Sequence, residues 1–109
     1  MAEAEPLDAV ALAVWGAALA DSTLVTQSSG VIGAEVDGET VLIGVDTGRY
    51  YGFDPVGSAI WLAIATPIRV DALCAKMIAH FAGDARAITL ETRTFVARLL
   101  SRGLARTAD

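Results

Sequence analysis

An Asp-Gly pair at positions 37 and 38 separates two apolar runs near the middle of the chain, residues 31–36 and residues 39–45. In the second run, Val41 and Ile43 occupy alternate positions, which places them on one face of a strand. Asp-Gly is typical of a two-residue hairpin turn, because these residues tolerate the positive φ angles that the turn requires. The sequence therefore predicts a β-hairpin, and with it an antiparallel sheet at the centre of the fold.

A third extended run, residues 49–53, follows a tight turn at residues 46–48 and is rich in aromatic side chains. The three runs predict a three-stranded antiparallel meander, with the third strand at the edge of the sheet. Alternation places Tyr51 and Phe53 together towards the core, whereas Tyr50 faces the opposite way. An edge strand presents unpaired backbone N–H and C=O groups, so this strand is a candidate site for the addition of a peptide strand.

Helix signals follow the meander. Asp54 and Pro55 form an acidic N-cap followed by proline at the first helical position. Asp84 provides a second N-cap, and Gly103 provides a helix stop. Strands followed by helices that pack on or beside the sheet indicate an α+β fold. The predicted helices span residues 55–65, 70–81 and 85–102.

An additional helix is predicted near the N-terminus, over residues 7–20, because Pro6 is suited to the start of a helix. An isolated helix of this length is marginally stable in water, so we expect its apolar face to pack onto the domain or onto a second copy in a homodimer. That face consists of Leu7, Val10, Val14 and Trp15. The chain is thus divided into an N-terminal helical extension, residues 1–22, and a domain of residues 23–109.

The composition favours one domain in the cytoplasm. Hydrophobic residues make up 54% of the 109 residues and charged residues 19%, which suits a single packed core. Cys74 is the only cysteine, so no internal disulfide is available. Acidic residues precede the N-terminal apolar stretch where a signal peptide has basic ones, and the stretch is shorter than the ~20 residues that span a bilayer. We therefore expect neither export nor membrane insertion.

Charge is distributed unevenly along the chain. Residues 1–48 contain eight acidic residues and no lysine or arginine, whereas residues 49–109 contain eight basic and five acidic residues. The arginines of the last predicted helix suit either the acidic residues of a partner or, as the alternative, nucleic-acid phosphates. The net charge of −5 and the hairpin acids Asp37 and Glu39 argue against nucleic acid. A gel shift with random duplex DNA at low salt distinguishes the two.

Candidate catalytic residues are few. His80 is the only histidine and therefore the natural base for a nucleophile. Cys74 lies six positions away on a different side of the predicted helix, and Ser58 lies in a segment without the second glycine of a nucleophile turn. Metal-ligand spacings and a phosphate-binding glycine loop are both absent from the sequence. The sequence favours a binding protein without metal or cofactor over a small hydrolytic or dehydrating enzyme.

One stretch of the chain resembles a known family. Residues 41–43 read Val-Leu-Ile, and residues 46–61 read Asp-Thr-Gly-Arg-Tyr-Tyr-Gly-Phe-Asp-Pro-Val-Gly-Ser-Ala-Ile-Trp. This order of turn glycine, aromatic strand, acidic helix start and Ile-Trp pair is similar to the PqqD-like family. The resemblance continues through residues 70–73 and 95–104. Members of that family recognise the leader segments of ribosomally made, post-translationally modified peptides, and include the stand-alone recognition proteins of lasso-peptide clusters.

The resemblance implies a winged helix-turn-helix fold with three strands followed by three helices. It also implies that a leader binds as an added antiparallel strand on the third strand, beside the third helix, and is presented to a separate leader peptidase or other modifying enzyme. Such modules have no catalysis of their own. Carried onto this chain, the strand comprises Arg49, Tyr50, Tyr51, Gly52 and Phe53. On the helix, we expect Thr92, Val96 and Leu100 to form apolar pockets and Arg93, Arg98 and Arg102 to meet acidic leader residues.

Overall fold

The computed structural model describes residues 9–37, 39–45 and 48–108. In these ranges the chain forms four helices and six strands, and none of the four helices combines the length and the apolarity that crossing a membrane requires. In chain order the elements are α1 (Ala9–Ala18), β1 (Leu24–Gln27), β2 (Val31–Val36), β3 (Glu39–Gly44), β4 (Tyr50–Phe53), α2 (Pro55–Ala63), β5 (Ile68–Arg69), α3 (Val70–His80), α4 (Ala85–Ser101) and β6 (Ala105–Thr107).

The predicted meander is confirmed as strands β2, β3 and β4, which lie in that order across one antiparallel sheet. Val36 pairs with Glu39, so the hairpin turn has two residues, and Asp37 adopts a φ of 54°. Strand β4 is at the edge of the sheet, as predicted. The turn predictions at Gly38, Asp46 and Thr47 lie outside the described residues.

The helix signals also act as predicted. The Asp54 carboxylate caps α2 by accepting a hydrogen bond from the Gly57 N–H at 2.8 Å. The Asp84 carboxylate caps α4 by accepting one from the Ala87 N–H at 3.1 Å. After α4, Gly103 adopts a φ of 72°, a conformation in which glycine ends a helix without steric strain. The chain therefore has the predicted α+β winged helix-turn-helix fold.

A second small sheet, with the strand order β5-β1-β6, does not follow from the sequence patterns. Val25 in its central strand pairs with Ile68 on one side and with Thr107 on the other. Strands this short, joined across such separations in sequence, leave no local alternation from which to predict them. The Thr26 hydroxyl donates to the Ile64 carbonyl at 3.0 Å, which fastens this sheet to the end of α2.

The core lies between the two sheets and helices α2, α3 and α4. Every one of these elements supplies apolar side chains to it, so the sheets and helices are stabilised together by one buried cluster. Its largest fully buried side chains are Val25, Leu42, Ile60, Ile64, Val70, Leu73, Thr92, Val96 and Leu99.

Helix α1 packs against α4, but not through the predicted face. Val10 is 72% exposed and Val14 is 66% exposed, and Trp15 is half-buried. Leu7 lies outside the described residues. The helix packs on the domain through the opposite side, so the predicted face is wrong for packing onto the domain, whereas its packing onto a second copy stays a prediction.

Gly16 and Arg93 determine which face of α1 packs. A Cβ atom at Gly16 would lie 2.6 Å from the Arg93 carbonyl oxygen, so only glycine permits this approach of the two backbones. The Arg93 guanidinium donates to the carbonyl oxygens of Gly16 at 3.1 Å and Leu19 at 2.7 Å, and it also pairs with Asp21. Carbonyls at a helix C-terminus lack partners within the helix, so this arginine caps α1.

We predict that Gly16→Ala lowers the free energy of unfolding by about 1–3 kcal/mol, because the added methyl group overlaps the backbone of α4. The sign is informative, since alanine in place of glycine in an unobstructed helix stabilises by about 0.5–1 kcal/mol. Gly52→Ala is the control, because a Cβ atom there has no neighbour within 4 Å. Urea unfolding compares the variants, and a gain in stability for Gly16→Ala would contradict the described packing of α1.

Candidate functional site

A cleft of about 890 Å³ lies between β4 and α4. Strand β4 forms one wall and α4 the other, and Ala13 of α1 borders the space between them. This volume lies within the range of roughly 300–1,000 Å³ that is typical of ligand-binding clefts. Its position beside an edge strand makes it the candidate functional site.

The backbone of β4 is paired on one side only. Just before this strand, the Gly44 N–H donates to the Arg49 carbonyl at 3.0 Å. Hydrogen-bonded positions alternate along an antiparallel pair, so Tyr51 also directs its backbone groups towards β3. Tyr50 and Gly52 consequently direct their N–H and C=O groups towards the open edge. Among the described residues, no further strand pairs with this edge.

Ser58 closes the last pair of the β3–β4 ladder. Its buried hydroxyl accepts a hydrogen bond from the Thr40 N–H at 2.9 Å and donates one to the Phe53 carbonyl at 3.3 Å. The hydroxyl thereby bridges the two strands at the end of β4 and ties both of them to α2. The sequence singled out this serine as a candidate nucleophile, but its hydroxyl has a structural role here.

Helix α4 presents one lengthwise stripe of side chains to the cleft. The stripe residues recur at intervals of three and four, the spacing of a single helical face. Leu90 in this stripe is 52% exposed, which is unusual for a leucine on a helix that packs on a core. The stripe includes Ala87, Leu90, Glu91, Thr94, Arg98 and Arg102.

Aromatic contacts connect the two walls. The rings of Phe53 and Phe95 pack edge to face with their centroids 5.0 Å apart. The Arg102 guanidinium lies 5.8 Å from the centre of the Tyr51 ring, within the range of a cation–π contact. Because Tyr51 precedes Phe53 whereas Phe95 precedes Arg102, β4 and α4 run in opposite directions along the cleft. Its Phe53 end is aromatic, and its Tyr51 end carries a cation.

The structure brings six of the eleven predicted site residues to the cleft. Arg49 is exposed immediately before β4 and is not among the lining residues. The predicted residues that line the cleft are Tyr50, Tyr51, Gly52, Phe53 and Arg98, together with Arg102.

The remaining predicted residues of α4 lie elsewhere. Thr92 and Val96 are each 1% exposed in the core, and Leu100 is partly buried against it. Arg93 caps α1. The predicted lining is wrong for these four, because Thr92, Val96 and Leu100 belong to the stripe that packs α4 on the core, and the Arg93 guanidinium is engaged by α1.

The four-residue spacing of the side chains that α4 presents to the cleft is visible in the sequence. Leu90, Thr94, Arg98 and Arg102 are four residues apart, so they share one side of the helix, away from the side on which Thr92 and Val96 lie. The prediction missed Leu90 and Thr94 because the row combines apolar, polar and basic side chains, whereas an apolar stripe was the pattern used to predict the pockets.

The described residues offer little for catalysis. Cys74 is buried, and burial raises the pKa of its thiol, which disfavours the reactive thiolate. In the described ranges, no three metal-ligating side chains lie close enough together to hold an ion. The hydroxyl of Ser58 is engaged between strands β3 and β4.

Comparison with known proteins identifies the family. The family model of coenzyme PQQ synthesis protein D (PqqD) matches residues 39–105, which contain both walls of the cleft. The chain belongs to the PqqD family. The resemblance inferred from the sequence is thereby confirmed. No curated protein matches the chain.

Two solved structures are similar to this PqqD-family chain. One is TbiB1 in complex with the TbiA(beta) leader peptide, with 30% sequence identity, a TM-score of 0.68, and coverage of 77% of this chain and 99% of that chain. The other is lasso peptide synthetase B1 complexed with the leader peptide, with 13% identity, a TM-score of 0.67, and coverage of 75% and 96%. The similarity to the second structure concerns the fold alone.

We predict that Ser58→Ala destabilises the fold by about 1–3 kcal/mol, because it leaves the buried Thr40 N–H without its acceptor. Ser101→Ala is the matched control, since that hydroxyl donates to the Arg98 carbonyl at the exposed surface. Equilibrium unfolding in urea measures both variants. Equal effects of the two substitutions on the free energy of unfolding would show that the Ser58 bridge between β3 and β4 does not stabilise the fold.

Proposed function

We propose that this PqqD-family protein is a non-catalytic adaptor that binds the leader segment of a ribosomally made precursor peptide. The observation that carries the proposal is the open backbone edge of β4, which faces a cleft large enough for a peptide. The complex of TbiB1 with the TbiA(beta) leader peptide supports the same ligand class.

The leader binds as an antiparallel strand added to β4. Backbone N–H and C=O groups of Tyr50 and Gly52 supply hydrogen bonds that depend little on leader sequence. Selectivity then comes from side chains on the opposite wall. Leu90 offers an apolar contact, whereas Arg98 and Arg102 attract acidic leader residues.

The adaptor presents the bound leader to a separate leader peptidase or other modifying enzyme of the same pathway. Residues 23–109 are the recognition domain, and residues 1–22 are an N-terminal extension of it. Burial of Cys74 and the structural engagement of Ser58 support a role without catalysis.

The electrostatics of the sheet disfavour the nucleic-acid alternative. Glu35, Asp37 and Glu39 are all exposed near the hairpin turn, the part of a winged helix that commonly meets the phosphate backbone. Carboxylates at this position repel phosphates. We therefore expect no salt-sensitive shift of random duplex DNA in a gel at low salt.

The binding mode is tested with Gly52→Pro. Proline removes the outward N–H of this residue while leaving the bonds of Tyr51 to β3 intact, and proline is tolerated where an edge strand faces outward. We predict that Gly52→Pro weakens leader binding by at least about tenfold, because a hydrogen bond is lost and the proline ring obstructs the added strand. Titration calorimetry with the leader of the precursor encoded beside this gene measures the effect.

Gly52→Ala is the matched control, since alanine keeps the N–H and its Cβ meets no neighbour. It is expected to bind as the parent does. If a folded Gly52→Pro variant binds the leader as tightly as Gly52→Ala, then strand addition to β4 is the wrong binding mode.

A further inference from the structure

Helix α1 extends the proposed leader cleft beyond its two walls, β4 and α4, which both lie within the residues that match the family model. Ala13 of α1 borders the main cleft. A second cavity of about 480 Å³ lies between α1 and α4 and is lined by Ala17 of α1, among others. Leu90 lines both cavities, so the surfaces are continuous. Helix α1 lies outside residues 39–105, which match the family model.

The side of α1 beside these cavities is apolar and uncovered. Val10, Ala13 and Ala17 follow the three-and-four spacing of one helical face. Val10 is 72% exposed on α1, and Leu90, which lines both cavities, is 52% exposed on α4. Exposed large apolar side chains are characteristic of interaction surfaces.

The direction of the added strand determines which part of a leader reaches this surface. Phe53 packs on Phe95 and Tyr51 lies beneath Arg102, so β4 runs opposite to α4. A leader antiparallel to β4 therefore runs in the same direction as α4. Its N-terminal part leaves the cleft at the end where Leu90 lies, and Leu90 shares the second cavity with Ala17 of α1.

We infer that α1 is a third wall of the leader site and binds an apolar side chain that precedes the strand-forming segment of the leader. The inference rests on the proposed leader binding. Continuity with the cleft through Leu90 favours this occupant over a second copy of the chain. The wall is held in place before binding, because Arg93 caps α1 and Gly16 seats it on α4.

The test compares Ala13→Lys and Ala17→Lys with Ala18→Lys. Alanine and lysine have similar helix propensities, and all three substitutions add the same charge to α1. Ala13 and Ala17 line the cavities, whereas Ala18 is exposed and lines neither. Thermal melting shows whether a substitution perturbs folding. If Ala13→Lys does, Ala17→Lys still provides the test, because Ala17 is exposed.

Two leader peptides are titrated into each variant by calorimetry. One is the full leader of the precursor encoded beside this gene. The other is a shortened leader, from which N-terminal residues have been removed. It is the shortest such peptide that still binds the parent protein and whose binding is still weakened by Gly52→Pro. We expect Ala13→Lys and Ala17→Lys to weaken binding of the full leader about tenfold. Ala17→Lys is expected to have no effect on the shortened leader, because Ala17 lines only the second cavity. Ala18→Lys is expected to bind both as the parent does.

Three results would overturn the inference. The first is equal binding of the full leader by all three variants. The second is an equal loss for the full and shortened leaders in Ala17→Lys, which would mean that α1 acts on the strand segment itself. The third is a parent protein of dimer mass in light scattering that becomes monomeric in Ala17→Lys, since a second copy would then cover the surface. A parent protein that binds neither leader contradicts the proposed function itself.

Discussion

Helix α4 makes three different contacts on three sides, and the rest of the structure depends on this division. Thr92 and Val96 pack on the core, Arg93 holds α1, and Leu90 and Arg98 face the cleft. The period of 3.6 residues per turn separates these rows on one helix of 17 residues. The packing that stabilises the domain therefore also sets the distance between α4 and β4, and so the width of the cleft.

Strand β4 is constrained on one side and open on the other. An open edge is a liability in a small protein, because it can pair with other chains and aggregate. Here the exposed strand is only four residues long, and α4 stands opposite it across the cleft. The bridge through Ser58 and the packing of Phe53 on Phe95 hold the strand in position. The edge thus remains available to a peptide confined by the cleft, while flat sheet-to-sheet pairing is obstructed.

Elements of this fold that depend on neighbouring residues could be predicted from the sequence, and those that depend on distant contacts could not. The turn at Asp37 and the caps at Asp54 and Asp84 are local, and each forms as predicted. Strand β1 pairs on its two sides with β5 and β6, which both lie far after it in the chain, so its four residues carry no local signal. Helix α1 is apolar on nearly every side, so only the close approach at Gly16, a tertiary contact, selects its packing face.

The acidic and basic halves of the sequence also interact in the fold. Asp21 from the acidic half pairs with Arg93 from the basic half, which joins α1 to α4. Within the cleft the charges separate by position: Asp54 and Glu91 lie towards the Phe53 end, and Arg102 lies at the Tyr51 end. A peptide antiparallel to β4 has its N-terminal part at the acidic end and its C-terminal part at the basic end. Because exposed charges are screened by salt, this polarity adds little affinity. For a leader whose acidic residues follow its basic ones, it disfavours the reversed, parallel orientation, so that charge and strand geometry then select the same direction.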